Sequence, residues 1–461
     1  MILNIIKKII PRKIFKSLQP IYHFLFAWFA SIVYGRPSEK LIVIGVTGTT
    51  GKTTSIYLIV KMLEGAGYKV GYTTTALFND GKREWANDKK MTMAGRFFIQ
   101  KMLRNMLRNK CQYAIVETTS EGVEQFRHRF INYDILVFTG LYPEHIESHG
   151  SFENYKKAKG KLFAHLKKCK TKYTDNKKII IKTISSLRRT EFDRVKKTII
   201  VNGDDEHADY FLNFWSENKI SYTQGDKNFG NNVEIVKYGN IKTDKKGTSF
   251  KINDFLINLQ ILGDFNVVNT MNAICVGMVF NVKKKKMKES LEKINGIAGR
   301  FEKIDEGQDF LVVVDYAYEP KAISKLYEVV NILNHKKIIH VLGSCGGGRD
   351  VARRPQLGKL AGEKADFVIV TNEDPYDDDP EIIIDQVALG AERAGKKNNK
   401  DLFKILDRRA AIEKAIKLAQ KGDIVLITGK GNEQYICIEY GKKIPWDDRM
   451  VVRELLKNEF N

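Results

Sequence analysis

The sequence predicts an α/β protein with two sheet domains in series. The first is organised around a phosphate-binding P-loop, with a mostly parallel sheet and an antiparallel addition; the second is a Rossmann-like α/β domain. Three observations carry this reading. A glycine- and threonine-rich loop separates an apolar run at 41–46 from a helix pattern opening at Thr53, apolar runs alternate with helix patterns as far as His165, and the alternation restarts after Gly299-Arg300. Such alternation signals parallel strands joined by crossover helices. At 461 residues the chain exceeds one ordinary core, and the expected division is a segment 1–38, a domain 39–298 and a domain 299–461.

In the first segment Lys7, Lys8, Arg12, Lys13 and Lys16 lie among Ile2, Leu3, Ile5, Ile6, Ile9, Ile10, Ile14 and Phe15, and an uncharged stretch, 18–34, follows. Pro20 and His23 interrupt that stretch, and its dense apolar part, 24–33, falls short of the about 20 apolar residues a membrane span needs. No small-residue cleavage site marks a secretory signal. The segment reads equally as a helix on a membrane surface and as a helix packed on the body of the protein.

The first strand, 41–46, leads into Thr47-Gly48-Thr49-Thr50-Gly51-Lys52-Thr53-Thr54. Glycines let backbone N–H groups face a polyphosphate, the following helix adds its positive end, Lys52 neutralises the outer phosphates and the Thr53 hydroxyl suits Mg²⁺. Nucleotide binding, with ATP as the ligand, is the expectation. Strands follow at 69–75, 113–119 and 134–141. From 233 to 262 short runs broken by turn signals suggest the antiparallel addition, and helices are expected at 266–280 and 286–294. The second domain has strand patterns at 310–316, 337–342, 367–371 and 424–428.

Composition narrows the partners. With 43% hydrophobic and 29% charged residues the chain is globular. Five scattered cysteines in no metal spacing read as reduced thiols, which points to the cytoplasm. The net charge of +22 is spread along the whole chain, without an RNA motif or zinc finger, so it argues for anionic small substrates or acidic membranes and against nucleic acid.

Glu117 ends the strand at 113–119, where open α/β sheets place their ligands, and after the next strand comes Glu144-His145-Ile146-Glu147-Ser148-His149-Gly150. A carboxylate and an imidazole at such ends can bind a metal or move a proton. Lys159 is the more unusual residue. On a helix over 152–166, Phe152, Tyr155, Lys159, Leu162, Phe163 and Leu166 share one face at about 3.6 residues per turn, while Lys157 and Lys161 point away. Desolvation there favours the neutral amine, which can take up CO₂ as a carbamate and so become a carboxylate-like metal ligand. A lysine snorkelling to solvent is the ordinary alternative.

Thr47 to Thr54, Glu117-Thr118-Thr119-Ser120, Glu144-His145, His149-Gly150, Tyr155-x-x-Ala158-Lys159, Gly263-Asp264-Phe265-Asn266-Val267-Val268-Asn269, Gly299-Arg300, Asp315-Tyr316-Ala317 and Gly429-Lys430-Gly431 occur in an order that resembles the Mur ligases, most of all the MurE type, from about residue 39 onward. The resemblance implies an ATP-dependent amide ligase of peptidoglycan precursor synthesis that activates the D-Glu carboxylate of UDP-MurNAc-L-Ala-D-Glu as an acyl phosphate. It implies that Gly48, Thr49, Thr50, Gly51, Lys52, Thr53 and Thr54 hold ATP with Asn266, Asn269, Arg300 and Asp315. It also implies two Mg²⁺ sites, one on Thr53 and one on Glu117, His145 and carbamylated Lys159. Lys52, Glu117, His145 and Lys159 are then the catalytic set. Thr92, Thr119, Gln125 and Arg127 match positions holding the muramyl peptide, and Arg349, Asp374 and Glu433 match positions receiving the amino acid. The C-terminal domain is expected to close over the first.

The chain departs from the family pattern at several points. Only about 40 residues precede the P-loop, where the family usually has a uridine-binding domain, so a lipid-linked acceptor stands beside a UDP-linked one. Tyr376 occupies the place of the arginine that grips diaminopimelate, and a phenol offers no bidentate charge pairing. Asn432 and Tyr318 stand where histidines are usual. The rival readings are a folylpolyglutamate-like or cyanophycin-like ligase, and a basic P-loop ATPase acting on nucleic acid or membrane. The sequence leaves the added amino acid and the oligomeric state open.

Overall fold

The strand β1 (Ile42–Thr47) is buried at every position, as a central parallel strand covered on both faces must be. The computed structural model in which it lies describes residues 12–144, 146–181, 192–348 and 351–460. They form two units, one of Met1–Tyr142, Glu153–Tyr238 and Val268–Ser290, the other of Pro143–Phe152, Gly239–Val267 and Leu291–Asn461.

In the first unit the strands after β1 are β2 (Val70–Thr73), β3 (Leu77–Asn79), β4 (Glu84–Ala86), β5 (Tyr113–Glu117), β6 (Ile135–Phe138), β7 (Lys172–Thr174), β8 (Asp193–Val195), β9 (Thr198–Asn202), β10 (Asn218–Thr223) and the start of β11 (Glu234–Asp244). Their order is β11-β10-β9-β6-β1-β5-β2-β3-β4, with β7 and β8 paired separately. Pairing is parallel from β11 to β2 and antiparallel across β2, β3 and β4. Because β5 and β6 flank β1 on opposite sides, the crevice at their carboxyl ends is a topological switch point, where such sheets bind ligands.

A buried charge cluster ties the start of β6 to β1. Asp134 accepts hydrogen bonds from Lys172 Nζ at 2.5 Å, Lys197 Nζ at 2.7 Å and the Val43 N–H at 2.8 Å. Burial pulls the Lys172 amine down to about 8, against the opposing pull of Asp134. The N-terminal helix Arg12–Val33 packs on the helix Arg96–Arg108, so the packed alternative holds for its inner face.

The second unit carries the antiparallel hairpin β12 (Gly247–Ile252) and β13 (Phe255–Leu259). Its main sheet is built from β14 (Glu302–Ile304), β15 (Leu311–Val314), β16 (Ile338–Leu342), β17 (Phe367–Thr371), β18 (Leu402–Ile405) and β19 (Ile424–Ile427), in the order β14-β15-β19-β16-β17-β18. All pairs are parallel except β14 with β15. Apolar cores line both faces, one centred on Leu326, Leu357 and Val387, the other on Ile412, Val425 and Leu456. Beyond the sheet lies the hairpin β20 (Tyr435–Cys437) and β21 (Lys443–Pro445).

The predicted strands are present, most with trimmed ends, 367–371 with the predicted bounds and 41–46 shifted by one residue, and the helices at 266–280 and 286–294 form as Asp264–Val279 and Lys284–Glu292. The α/β class with a large, mostly parallel sheet and a second mixed sheet therefore stands. Two features differ from expectation. The start of β11 runs parallel to β10, so the antiparallel character of 233–262 is confined to its later part. The edge strands β3 and β4 have only three residues each, too few to display a period.

Candidate active site

The turn after β1 is closed by its neighbour β6. The Thr49 N–H donates to the Gly140 carbonyl at 2.8 Å, and the Thr139 hydroxyl donates to the Thr50 carbonyl at 2.6 Å. Two glycines are required by contact. A Cβ on Gly48 would stand 1.9 Å from Thr139 Oγ1, and Gly51, at φ +76°, would press a Cβ to 2.4 Å from Asn269 Oδ1. The helix Lys52–Gly65 then starts with the P-loop N–H groups at its positive end. The Lys52 amine donates to the Thr49 carbonyl at 2.6 Å, folded onto its own loop.

Glu117, at the end of β5, is 1% exposed. Its carboxylate accepts from the Thr53 hydroxyl at 2.8 Å, the Thr75 N–H at 2.9 Å and the Thr75 hydroxyl at 2.8 Å. Thr75 Oγ1 also lies 3.0 Å from Thr92 Oγ1, linking Glu117 to a predicted acceptor residue. The helix Phe152–Leu166 forms with the predicted bounds. It buries Lys159, at 2% exposure, while Lys157 and Lys161 are exposed. Lys159 does not snorkel: its Nζ donates to the Gly48 carbonyl at 2.8 Å and lies 4.6 Å from the Tyr155 ring centre. The Tyr155 hydroxyl is 3.2 Å from Thr49 Oγ1, so one helix face lies against the P-loop.

Thr53 Oγ1 and the Glu117 carboxylate are thus adjacent oxygen donors beside a phosphate site, a set that suits Mg²⁺, which takes few protein ligands and keeps waters and phosphate oxygens. Among the described residues no group of three His, Cys, Asp or Glu could hold a metal; His145 lies outside them.

Asn269 bonds to the phosphate-loop helix, with Oδ1 accepting from the Ser55 hydroxyl at 3.2 Å, and Asn272 Nδ2 donates to Ser55 Oγ at 3.0 Å. Sequence reasoning missed Ser55, Asn272 and Thr75, and it placed Tyr155 on the Lys159 face without its contact to Thr49. Only the helical spacing of Asn269 with Asn272 and of Tyr155 with Lys159 hinted at the pairs. In the acceptor group, Thr119 caps the helix Ser120–Glu124 by accepting from the Gly122 N–H at 3.1 Å. Arg127 Nη2 donates to Gln125 Oε1 at 2.6 Å and Nη1 to the Met93 carbonyl. Burial lowers the proton affinity of Arg127, with Glu121 opposing.

In the second unit Asn266 Nδ2 donates to the Leu262 carbonyl at 2.7 Å. Arg300 stacks 4.3 Å from the Tyr316 ring centre. Asp315 accepts from the Phe301 and Ala317 N–H groups at 2.6 Å each; burial raises its carboxyl, and Arg300 pulls it back. At the ends of β17 and β19, Lys430 Nζ joins Asp374 at 2.8 Å and Glu433 at 2.7 Å. Burial opposes the Lys430 charge, yet Glu433 and Asp374 hold its proton affinity well above the ordinary lysine value. Asp374 also accepts from the Cys437 N–H at 2.7 Å, and Cys345 Sγ lies 3.0 Å from Glu373 Oε1. Tyr376 is left-handed at φ +53°, with the Tyr318 ring 5.1 Å from the Arg353 guanidinium. Arg349 lies outside the described residues.

The pattern of the Mur ligase middle domain matches residues 46–191 and 173–277, and that of the Mur ligase glutamate ligase domain matches 299–431. The chain belongs to the Mur ligase family. It is 35% identical to a UDP-N-acetylmuramyl-tripeptide synthetase of Roseiflexus sp. (strain RS-1) over 93% of the chain and 81% of that protein. It is 32% identical to a UDP-N-acetylmuramoyl-L-alanyl-D-glutamate–2,6-diaminopimelate ligase of Syntrophomonas wolfei over 94% of the chain and 82% of that protein. A solved ligase of the latter name superposes with a TM-score of 0.55 at 26% identity, covering 92% of this chain and 79% of that one. Folylpolyglutamate synthase of Mycobacterium tuberculosis superposes at 0.62 with 15% identity over 90% and 96%, a likeness of fold alone. This Mur ligase is an ATP-dependent, MurE-type acid–amino-acid ligase of peptidoglycan precursor synthesis.

Proposed function

We propose that this ligase joins an amino acid to the D-Glu carboxylate of a UDP-MurNAc-L-Ala-D-Glu-like acceptor through an acyl phosphate. The observation that carries the proposal is the convergence of Glu117, through Thr53, and of buried Lys159, through Gly48, on one phosphate loop. In the proposed reaction the acceptor carboxylate attacks the γ-phosphorus of ATP and ADP leaves. The amine then attacks the acyl carbon, phosphate leaves and the ammonium proton passes to solvent. The P-loop N–H groups and Lys52 orient the phosphates.

Mg²⁺ on Thr53, and a second ion on Glu117, His145 and carbamylated Lys159, would offset charge between phosphate and carboxylate. Lys159 acquires the carbamate when its neutral amine adds to CO₂ and loses one proton. Asn266, Asn269, Arg300 and Asp315 serve the nucleotide, Thr92, Thr119, Gln125 and Arg127 the acceptor, and Arg349, Asp374 and Glu433 the amino acid. The functional division follows 39–298 and 299–461, a reading supported by the start of the second family pattern at 299. The setting is cytoplasmic, with residues 1–34 in contact with a membrane surface.

Incubation with ATP, Mg²⁺, a muramyl dipeptide acceptor and single amino acids, read by product mass, tests the proposal. Amide formation that needs all four components is the expected result. ATP hydrolysis stimulated only by RNA, or transfer to folate instead, would replace it.

A further inference from the structure

The helix Arg12–Val33 has two unlike faces. Inward, Ala27, Ala30 and Ser31 are buried, and small residues let the helix lie close on its support. Phe24 meets Phe126 and Phe130 edge-on, and Phe26 and Phe29 meet Phe97. Outward, Leu18, Ile21, Leu25, Trp28 and Ile32 recur at helical spacing, and all are exposed, Ile21 by 58% and Leu25 by 51%, while Phe29 lies at the margin between the two faces. A contiguous apolar face of this kind marks an interaction site, unlike the singly scattered exposed apolar residues elsewhere in the chain.

Two properties select the occupant. No described helix is long and apolar enough to cross a membrane, and a helix with one packed and one apolar exposed face has the form of one that lies in the plane of an interface. The surrounding charge is also predominantly positive. Glu39 is the first acidic residue of the chain, and it pairs with Lys170. The supporting helix Arg96–Arg108 carries Arg96, Lys101, Arg104 and Arg108 with no acid, and among the described residues none of the four forms an ion pair. Lys101 and Arg108 are exposed, and Arg129 sits 5.7 Å from the Phe24 ring centre. A second copy would bring the same positive surface against it. We infer that this two-helix platform docks on an anionic lipid bilayer, its apolar face at the acyl boundary and its arginines and lysines at phosphate level.

This deepens the membrane contact of the proposed function and rests on it. The supporting helix borders the acceptor residues: Arg96 Nη2 donates to the Gln125 carbonyl at 2.6 Å, next to Arg127. His23, on the helix Arg12–Val33, is held neutral by burial and by Arg96 and Arg127. An acceptor carried on a lipid therefore meets Gln125 and Arg127 beside the bilayer.

The test is sedimentation of the full chain with vesicles of phosphatidylcholine alone or mixed with phosphatidylglycerol. Binding to the acidic vesicles is expected to be at least about tenfold tighter and to weaken with salt. Leu25→Glu with Ile21→Glu should abolish binding while leaving amide formation on a soluble acceptor intact. Arg104→Gln and Arg108→Gln should each weaken it by about fivefold. Equal binding to both vesicles overturns the acidic-lipid inference and keeps the general membrane contact, whereas no binding overturns both. A concentration-dependent dimer abolished by Leu25→Glu assigns the face to a second copy and overturns the inference. The amide assay reports the ligase reading independently.

Discussion

Replacing Glu117 by glutamine separates a structural clamp from a metal-side carboxylate. The side chain is nearly isosteric, and three donors surround it: the Thr53 hydroxyl, the Thr75 N–H and the Thr75 hydroxyl, at 2.8–2.9 Å. With the amide oxygen at the Oε2 position, the first two bonds survive as neutral ones. The amide NH₂ then faces Thr75 Oγ1, which can accept and turn its own proton to Thr92, 3.0 Å away. Charge-assisted bonds are about twice as strong as neutral ones, so the net cost is about 1–3 kcal/mol of stability. Loss of the negative charge beside the phosphate site should cost more where charge develops, about 10²–10³ in kcat. Urea unfolding and phosphate release titrated with Mg²⁺ measure the two effects. A variant that keeps kcat within about threefold and the same Mg²⁺ requirement would refute the reasoning and leave Glu117 as a clamp.

Lys159→Ala should lose at least about a hundredfold in activity and regain part of it with added short-chain carboxylates; the absence of rescue counts against the carbamate. Asp448 accepts Arg408 in a bidentate pair at 2.8 and 2.7 Å, both side chains at most 1% exposed, so Asp448→Asn should destabilise the second unit by about 3–5 kcal/mol, measured by urea unfolding. His340, between the Tyr327 hydroxyl at 2.7 Å and Thr428 Oγ1 at 2.9 Å, is lowered by burial to about 3. Its folded value lies below the unfolded one, so its contribution is complete above about pH 6.5 and fades as pH falls toward 3, by about 1.4 kcal/mol per unit. Unfolding curves at pH 6.5 and 5 should therefore differ less in His340→Gln than in the wild type.

Much of the site was legible beforehand because its signals are local. The P-loop depends on consecutive residues, and the Lys159 face on a helical period, so both could be read directly; the helix appears with the predicted bounds and Lys159 is buried. Thr75 was not legible. It reaches Glu117 across 42 positions, through the neighbouring strands β2 and β5, and nothing in its own neighbourhood marks it. Ser55 is similar, reaching Asn269 and Asn272 more than 200 positions away.

The order of residues along the chain, taken alone, determined the α/β class, the phosphate loop, the family and the apolar setting of Lys159, since each follows from short-range periodicity or contiguous motifs. Tertiary structure decided where that lysine's amine goes, which strands flank β1, how β11 runs and which face of the first helix is left uncovered. Those outcomes turn on which distant segments meet, and a pairing between remote residues leaves no periodic trace in either one.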